Sequence, residues 1–250
     1  MTKNSEGVNG GIYLPLTNVT MASKGLERAI NRTPGLPGFV CLYGPSGYGK
    51  TQAAAYCANK FRGVYVECRS FFTAKSLMLA ILSEAGLRAE STLADMLSQI
   101  VEELALSRRP LIIDEVDHIV DNKAMQVLRD IHDASGCAIL LVGEERFPFK
   151  LKKTERLHNR VHGWYHALPA TAQDAKSLAG HYCRNVEIAD DLLAGITKAS
   201  RHVSRKIVVN LDMVREYCAT RGINKIDLAT WGDRGFFDGE PPRQGPTSGT

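Results

Sequence analysis

The sequence lacks any long hydrophobic run and any leader-like start. Its first residues, MTKNSEGVNGG, are polar and include no apolar segment of the kind that a secretory signal peptide needs. No apolar stretch approaches the roughly 20 residues with which a helix spans a bilayer. We therefore expect a cytoplasmic protein without a membrane partner.

Paired cysteines and a strong charge bias are absent too. None of the six cysteines forms a Cys-x-x-Cys pair, and most lie in apolar stretches such as FVCLYG, which predicts buried, reduced thiols. The 31 basic residues exceed the 27 acidic ones by only four. This excess does not indicate nucleic-acid binding by itself, but it allows such binding if the positive charge clusters on one face.

Short apolar runs alternate with helical patterns over the first two thirds of the chain. Strands are predicted at 39–43, 64–68, 111–113, 138–142 and 161–168, and helices at 50–61, 74–85, 93–106 and around 124–131. This alternation predicts an α/β fold with a parallel sheet flanked by helices. After Pro169 the pattern predicts helices only, at 172–183, 188–199, 202–218 and 225–231.

These patterns predict four segments. They are a flexible N-terminal segment at 1–18, an α/β core at 19–168, a small helical lid domain at 169–235 and a disordered, Gly- and Pro-rich tail at 236–250.

A phosphate-binding loop follows the first predicted strand and precedes a helix. Its sequence GPSGYGKT fits the pattern GxxxxGK[ST] in full. Glycines allow the backbone N–H groups to face phosphate oxygens, and the helix N-terminus attracts the same charge. Lys50 is expected to reach the β- and γ-phosphates of ATP, and Thr51 to bind Mg²⁺. The predicted nucleotide ligands are Gly44, Pro45, Ser46, Gly47, Tyr48, Gly49, Lys50 and Thr51.

Two carboxylates follow the apolar strand LII. Ligands of open parallel sheets bind at the carboxyl ends of the strands, where Asp114 and Glu115 are predicted to lie. Asp114 suits the Mg²⁺ shell, and Glu115 suits orienting and deprotonating an attacking water. ATP and Mg²⁺ are therefore the predicted cofactors of a hydrolytic site.

The segments GPSGYGKT, LIIDEVDH, ILLVGEERF, ERLHNRV and SRHVSRKI together resemble an AAA+ ATPase. More narrowly, they resemble the family of the phage Mu B protein and related DNA-transposition regulators, over about residues 20–232. The resemblance implies that Arg160, or less readily Arg156, reaches the nucleotide of a neighbouring subunit. It also implies that Arg205 senses nucleotide within its own subunit.

The same resemblance implies a loop that faces a central channel after the second strand. Arg69, Thr73 and Lys75 are the candidate DNA contacts there, and Lys150 and Lys152 form a second basic group. Phe71 and Phe72 are expected in the core. The Mu B protein has a helix-turn-helix domain ahead of its ATPase core, for which about twenty residues leave no room here. DNA contact is therefore expected from the core itself.

Glu144 departs from the family pattern, which generally places Asn or Thr at the end of the fourth strand. A glutamate facing the γ-phosphate would be repelled. We therefore expect Glu144 to turn away and ATP hydrolysis to be slow, with stimulation by assembly or DNA.

The predicted function is ATP-dependent, non-sequence-specific assembly on duplex DNA as a ring or helical filament that regulates DNA transposition. The resemblance implies a homo-oligomer, a transposase partner and, if a phage or transposon encodes the chain, the bacterial host cytoplasm. A helicase loader or replication initiator shares every motif. A small-molecule kinase with the same P-loop and a nucleotide-dependent scaffold with negligible catalysis are further alternatives.

Overall fold

The computed structural model describes residues 14–120 and 123–241. Predictions for 1–13 and 242–250 therefore lie outside the described residues. The chain divides into two compact units, one ending at Leu168 and the other beginning at Pro169.

The first unit contains seven helices and five strands within its described residues. The helices are α1 (Thr17–Ile30), α2 (Lys50–Lys60), α3 (Ala74–Ala85), α4 (Leu93–Ser107), α5 (Lys123–Ser135), α6 (Phe147–Lys152) and α7 (Glu155–His158). The strands are β1 (Phe39–Tyr43), β2 (Val64–Glu67), β3 (Leu111–Asp114), β4 (Ile139–Gly143) and β5 (Val161–His166). A 3₁₀ turn at Val116–His118 follows β3.

The five strands form one parallel sheet in the order β2-β3-β4-β1-β5. The three central strands are almost wholly buried, because helices cover both faces of a parallel sheet. This arrangement confirms the predicted α/β fold. It brings the residues that follow β1, β2, β3 and β4 to the same edge of the sheet. We call this the carboxyl edge and the opposite side the amino edge.

The second unit combines helices with a two-stranded parallel sheet. The helices are α8 (Ala172–Tyr182), α9 (Asp190–Ala199), α10 (Ser204–Arg221) and α11 (Leu228–Trp231), and the strands are β6 (Glu187–Ile188) and β7 (Lys225–Ile226). The prediction that only helices follow Pro169 is therefore wrong in this detail. Residues 233–241 have no regular secondary structure, although the Phe237 N–H donates to Asn210 Oδ1 at 2.7 Å.

The six cysteines are all free and buried, as predicted. No helix within the described ranges is long and apolar enough to cross a membrane.

Candidate nucleotide-binding site

The loop between β1 and α2 depends on its glycines. Gly44, Gly47 and Gly49 have φ values of 149°, 83° and 79°, in the region that side chains disfavour. A Cβ atom on Gly44 would also come within 3.0 Å of the Ala167 side chain. Helix α2 begins directly after Gly49, so its N-terminal N–H groups and positive dipole end face the loop. The conformation of this loop is therefore suited to binding an anion.

Lys50 lies inside this loop. Its Nζ donates to the carbonyl oxygens of Gly44 at 2.7 Å and Pro45 at 2.9 Å. Burial lowers the pKa of Lys50, and four carboxylates oppose that shift. These carboxylates belong to Glu115, Asp114, Glu144 and Asp117. One lysine and four acidic side chains therefore lie at the carboxyl edge of the sheet.

Asp114 is held in place by two donors. It is only 2% exposed, and its Oδ1 accepts the Glu115 N–H at 2.8 Å. Its Oδ2 accepts the Tyr65 hydroxyl at 3.1 Å from the neighbouring strand β2. Burial, together with the nearby Asp114, raises the pKa of Tyr65, so the phenol stays a donor at neutral pH. Sequence reasoning missed Tyr65, and no local motif distinguishes it from an ordinary strand tyrosine.

Glu115 adopts a left-handed backbone conformation, with φ 52° and ψ 40°. Such a conformation is uncommon for a residue other than glycine and turns the chain sharply after β3. Burial raises the pKa of the Glu115 carboxyl, with a further contribution from Asp114, while Lys50 opposes the shift. A carboxylate with a raised pKa near a phosphate site has the properties of a general base.

Asp117 links the ends of β3 and β4. Its Oδ2 accepts the Glu144 N–H at 2.5 Å, and its Oδ1 pairs with Lys150 Nζ at 2.9 Å. A Cβ atom on Gly143 would lie 2.7 Å from Asp117 Oδ2, so a side chain there would disturb this contact. Asp117 was not among the predicted site residues, although it stands three residues after Asp114 in LIIDEVDH.

Glu144 directly follows β4 and is exposed. Its negative charge opposes the lowering of the Lys50 pKa by burial and adds to the raised pKa of Glu115. The Glu144 carboxylate therefore acts electrostatically on the phosphate site, and its orientation toward a bound γ-phosphate stays a prediction.

The donor set suits Mg²⁺. Thr51 offers a hydroxyl in the first turn of α2, and Asp114 offers carboxylate oxygens at the end of β3. Magnesium prefers such oxygen ligands and usually retains several waters, so two protein ligands beside phosphates are sufficient.

Arg160 lies at the amino edge, just before β5. Its carbonyl accepts the Phe39 N–H at the start of β1, whereas the P-loop follows the other end of that strand. At about 3.3 Å per residue, five strand residues separate Arg160 from its own P-loop by about 17 Å, beyond the reach of an arginine side chain. Its guanidinium forms a two-point ion pair with Asp133 at 2.6 and 3.1 Å.

The other two predicted arginines are exposed. Arg156 is the second residue of α7, and its carbonyl accepts from Arg160 Nη1 at 2.8 Å. Arg205 is the second residue of α10 in the second unit.

The predicted DNA contacts separate into two groups at the carboxyl edge. Arg69 and Lys75 are exposed in the segment between β2 and α3, where the Thr73 hydroxyl caps α3 by accepting the Ser76 N–H at 3.2 Å. Lys150 is held in the ion pair with Asp117, while Lys152 is exposed at the end of α6.

The two phenylalanines that follow Arg69 have different environments. The expectation that Phe71 lies in the core is wrong, because its side chain is 93% exposed. Phe72 is partly buried against the core, as expected.

Asn18 fixes the P-loop to the end of the first unit. This buried residue of α1 donates from Nδ2 to the carbonyls of Tyr48 at 2.9 Å and Leu168 at 2.8 Å. Its Oδ1 accepts the Leu168 N–H at 2.8 Å. Sequence reasoning assigned residue 18 to a flexible segment and gave no signal for this role.

Comparison with known proteins agrees with this geometry. Residues 34–151 match the family model AAA_22, described as an AAA domain, which implies ATPase activity. No curated protein sequence gives a match.

Solved structures with the same fold include RuvB and ORC1 proteins. A point mutant of Thermotoga maritima RuvB has a TM-score of 0.60 and 20% identity, covering 91% of this chain and 71% of its own. The T. maritima RuvB Holliday junction branch migration motor has a TM-score of 0.59 and 21% identity, and the match covers 91% of this chain and 70% of that one. The Aeropyrum pernix ORC1 protein in complex with DNA has a TM-score of 0.60 and 17% identity, and the match covers 84% of this chain and 61% of that one. At these identities the likeness establishes the fold, and residues 34–151 are similar to the AAA domain family.

Proposed function

We propose that this protein is an ATP-dependent, non-sequence-specific DNA-binding ATPase. It assembles on duplex DNA as a ring or helical filament and regulates DNA transposition by marking target DNA and stimulating a transposase. The single observation that best supports assembly is the separation of Arg160 from its own P-loop along β1. Regulation of transposition rests on the sequence resemblance to the Mu B family.

ATP hydrolysis at this site would use residues of the carboxyl edge. Lys50 exchanges the carbonyls of Gly44 and Pro45 for the β- and γ-phosphates, and the P-loop N–H groups bind the remaining oxygens. Glu115 accepts a proton from the attacking water as the bond between the γ-phosphorus and the β–γ bridging oxygen breaks. Mg²⁺, held by Thr51 and Asp114, would neutralise charge on the phosphate oxygens.

A neighbouring copy of the chain would complete the site. In the proposed assembly, Arg160 of one copy approaches the γ-phosphate bound by the next and stabilises the charge of the transition state. Arg156 is the alternative donor, and Arg205 would respond to the nucleotide of its own copy. ATP binding and assembly would then be coupled, and loss of the γ-phosphate would favour disassembly.

DNA binding would depend mainly on phosphate contacts. Arg69, Thr73, Lys75 and Lys152 are the proposed contacts, and Lys150 would contribute only by leaving Asp117. Contacts of this kind give affinity that falls with salt and little sequence preference.

The test is electron microscopy of the purified chain with duplex DNA, with ATP, a slowly hydrolysed analogue or no nucleotide. Rings or filaments that need both DNA and ATP or the analogue are expected, and they should persist longest with the analogue. A monomer that binds ATP and ignores DNA would contradict the proposal.

Two activity assays separate the leading function from its alternatives. The proposal expects stimulation of transposase strand transfer by the ATP-bound protein. Loading of a replicative helicase without such stimulation would favour a helicase loader, and phosphorylation of a small acceptor would favour a kinase.

A further inference from the structure

The loop between β2 and α3 presents one aromatic side chain to solvent. Phe71 is 93% exposed, which exceeds every other exposed large hydrophobic side chain of the described residues. A phenylalanine side chain has a large apolar area, and its burial in a core or an interface is favourable. A phenylalanine ring that is almost fully exposed at a loop tip is therefore unusual.

The loop holds this ring outward through fixed contacts on both sides. The Phe72 N–H donates to the Arg69 carbonyl at 2.9 Å, which closes a turn over Arg69 to Phe72. Phe72 packs against the core. After the turn, a reciprocal pair of hydrogen bonds between Thr73 and Ser76 fixes the start of α3. Hydrogen bonds and the packing of Phe72 therefore hold the backbone on both sides of Phe71.

The charges beside Phe71 favour a polyanionic partner. Arg69 and Lys75 are exposed, and within the described residues neither takes part in an ion pair. Glu67, at the end of β2, is the acidic residue of this segment. Two cationic side chains near an apolar ring are complementary to DNA, because the cations can bind phosphates and the ring can contact the faces of bases.

The loop is also joined to the nucleotide site. The N–H of buried Cys68 donates to the Asp114 carbonyl at 2.9 Å, one residue before the turn begins. The backbone that carries Phe71 is therefore hydrogen-bonded to the backbone of a predicted Mg²⁺ ligand.

We propose that Phe71 inserts between adjacent base pairs of duplex DNA while Arg69 and Lys75 bind the flanking phosphates. The inference rests on the proposed DNA-binding function and adds base unstacking to it. Insertion of an apolar wedge partly unstacks and kinks the duplex, so binding would favour easily deformed pyrimidine–purine steps without reading base edges.

Phe149 provides a matched control on the same chain. It is also a surface phenylalanine, 70% exposed in α6 near Lys150 and Lys152, but Lys153 Nζ lies over its ring at 5.4 Å. The variants are Phe71→Ala, Phe71→Leu and Phe149→Ala, together with Arg69→Ala, all made in the full chain.

The experiment measures affinity for a fluorescent 20-base-pair duplex at several salt concentrations, with a slowly hydrolysed ATP analogue present. A second duplex contains 2-aminopurine, whose fluorescence rises when it is unstacked. Phe71→Ala should lower affinity about tenfold with an unchanged salt slope and abolish the 2-aminopurine signal. Arg69→Ala should reduce the salt slope by about one. Phe71→Leu should keep part of the signal, and Phe149→Ala should resemble the wild type.

The outcomes separate this inference from the proposed function. Wild-type protein that binds duplex DNA without a 2-aminopurine change would overturn the inference alone. Equal loss of affinity in Phe71→Ala and Phe149→Ala would also overturn it. If Phe71→Ala keeps the 2-aminopurine signal but no longer forms rings or filaments on duplex DNA, the ring belongs to a contact between copies instead. A wild-type protein that binds no duplex in any nucleotide state would overturn both.

Discussion

The two edges of the central sheet differ in chemistry. At the carboxyl edge, Lys50 is surrounded by Asp114, Glu115, Asp117 and Glu144, next to a loop of backbone N–H groups. At the amino edge, Arg160 forms its two-point ion pair with Asp133. The carboxyl edge thus combines one lysine with four carboxylates, and the amino edge has an arginine paired with one carboxylate.

In the proposed assembly, the P-loop and Arg160 of one chain would belong to two different sites, because they lie at opposite edges of the sheet. All five strands are parallel, so every strand separates the two edges by its own length. A second copy placed with its amino edge against the first copy's P-loop would bring the halves together. In that arrangement, Asp133 would orient the Arg160 guanidinium through the two-point ion pair before the copies meet.

The largest expected effect comes from the amino edge. Arg160→Ala should lower ATP turnover about a thousandfold, as expected for loss of an arginine that acts on a neighbour's phosphates. Turnover is measured as phosphate release at saturating ATP and DNA. An equal mixture of Arg160→Ala and Glu115→Gln chains should regain activity, because some interfaces then pair an intact arginine with an intact base. Arg156→Ala is the control, and no recovery in the mixture would argue against action between copies.

Glu115→Gln tests the carboxyl edge. Turnover should fall about a hundredfold or more while ATP affinity changes little, because a general base is lost and the phosphate contacts remain. In the wild type, turnover should decline on the acidic side at a pH above the ordinary titration range of glutamate, since the raised pKa of Glu115 must be exceeded for the base to be ionised. Undiminished turnover would contradict the role of Glu115 as the base. Negligible turnover in the wild type, with assembly unchanged by Glu115→Gln, would favour the scaffold alternative.

Tyr65→Phe removes the hydroxyl that contacts Asp114 and nothing larger. The Mg²⁺ concentration needed for half-maximal binding of a fluorescent ATP analogue should rise about tenfold, as for other groups that orient a metal ligand. Affinity for the analogue without Mg²⁺ should not change, which distinguishes positioning of Asp114 from a general loss of stability. Tyr43→Phe, on β1, is a matched control.

The smallest expected effect concerns Glu144. Glu144→Gln should raise ATP affinity about threefold, because one exposed negative charge near Lys50 is removed. Glu145→Gln changes the neighbouring exposed glutamate and should have less effect. Equal affinities for the two variants in calorimetric titrations would show that Glu144 does not influence the bound phosphates.

Sequence reasoning succeeded where a pattern is local. Apolar runs of four or five residues, such as those of β1 and β4, predicted strands because burial on both faces demands unbroken apolar sequence. It missed α1, whose start has no capping side chain, and the two-residue strands β6 and β7, which are too short to have a period. Phe71 was assigned to the core together with Phe72, because the sequence does not indicate which of two adjacent aromatic side chains is buried.

The parallel α/β fold and the GxxxxGK[ST] loop can be read from the sequence, because each depends on residues close together in the chain. Which side chains meet across the sheet can be read only from the folded structure. The Tyr65–Asp114, Asp117–Glu144, Arg160–Asp133 and Asn18–Leu168 contacts join residues 27 to 150 positions apart. A hydrogen bond needs its two atoms within about 3 Å, and only the packing of helices on the sheet sets such distances. The same packing put Arg160 and the P-loop at opposite ends of one strand.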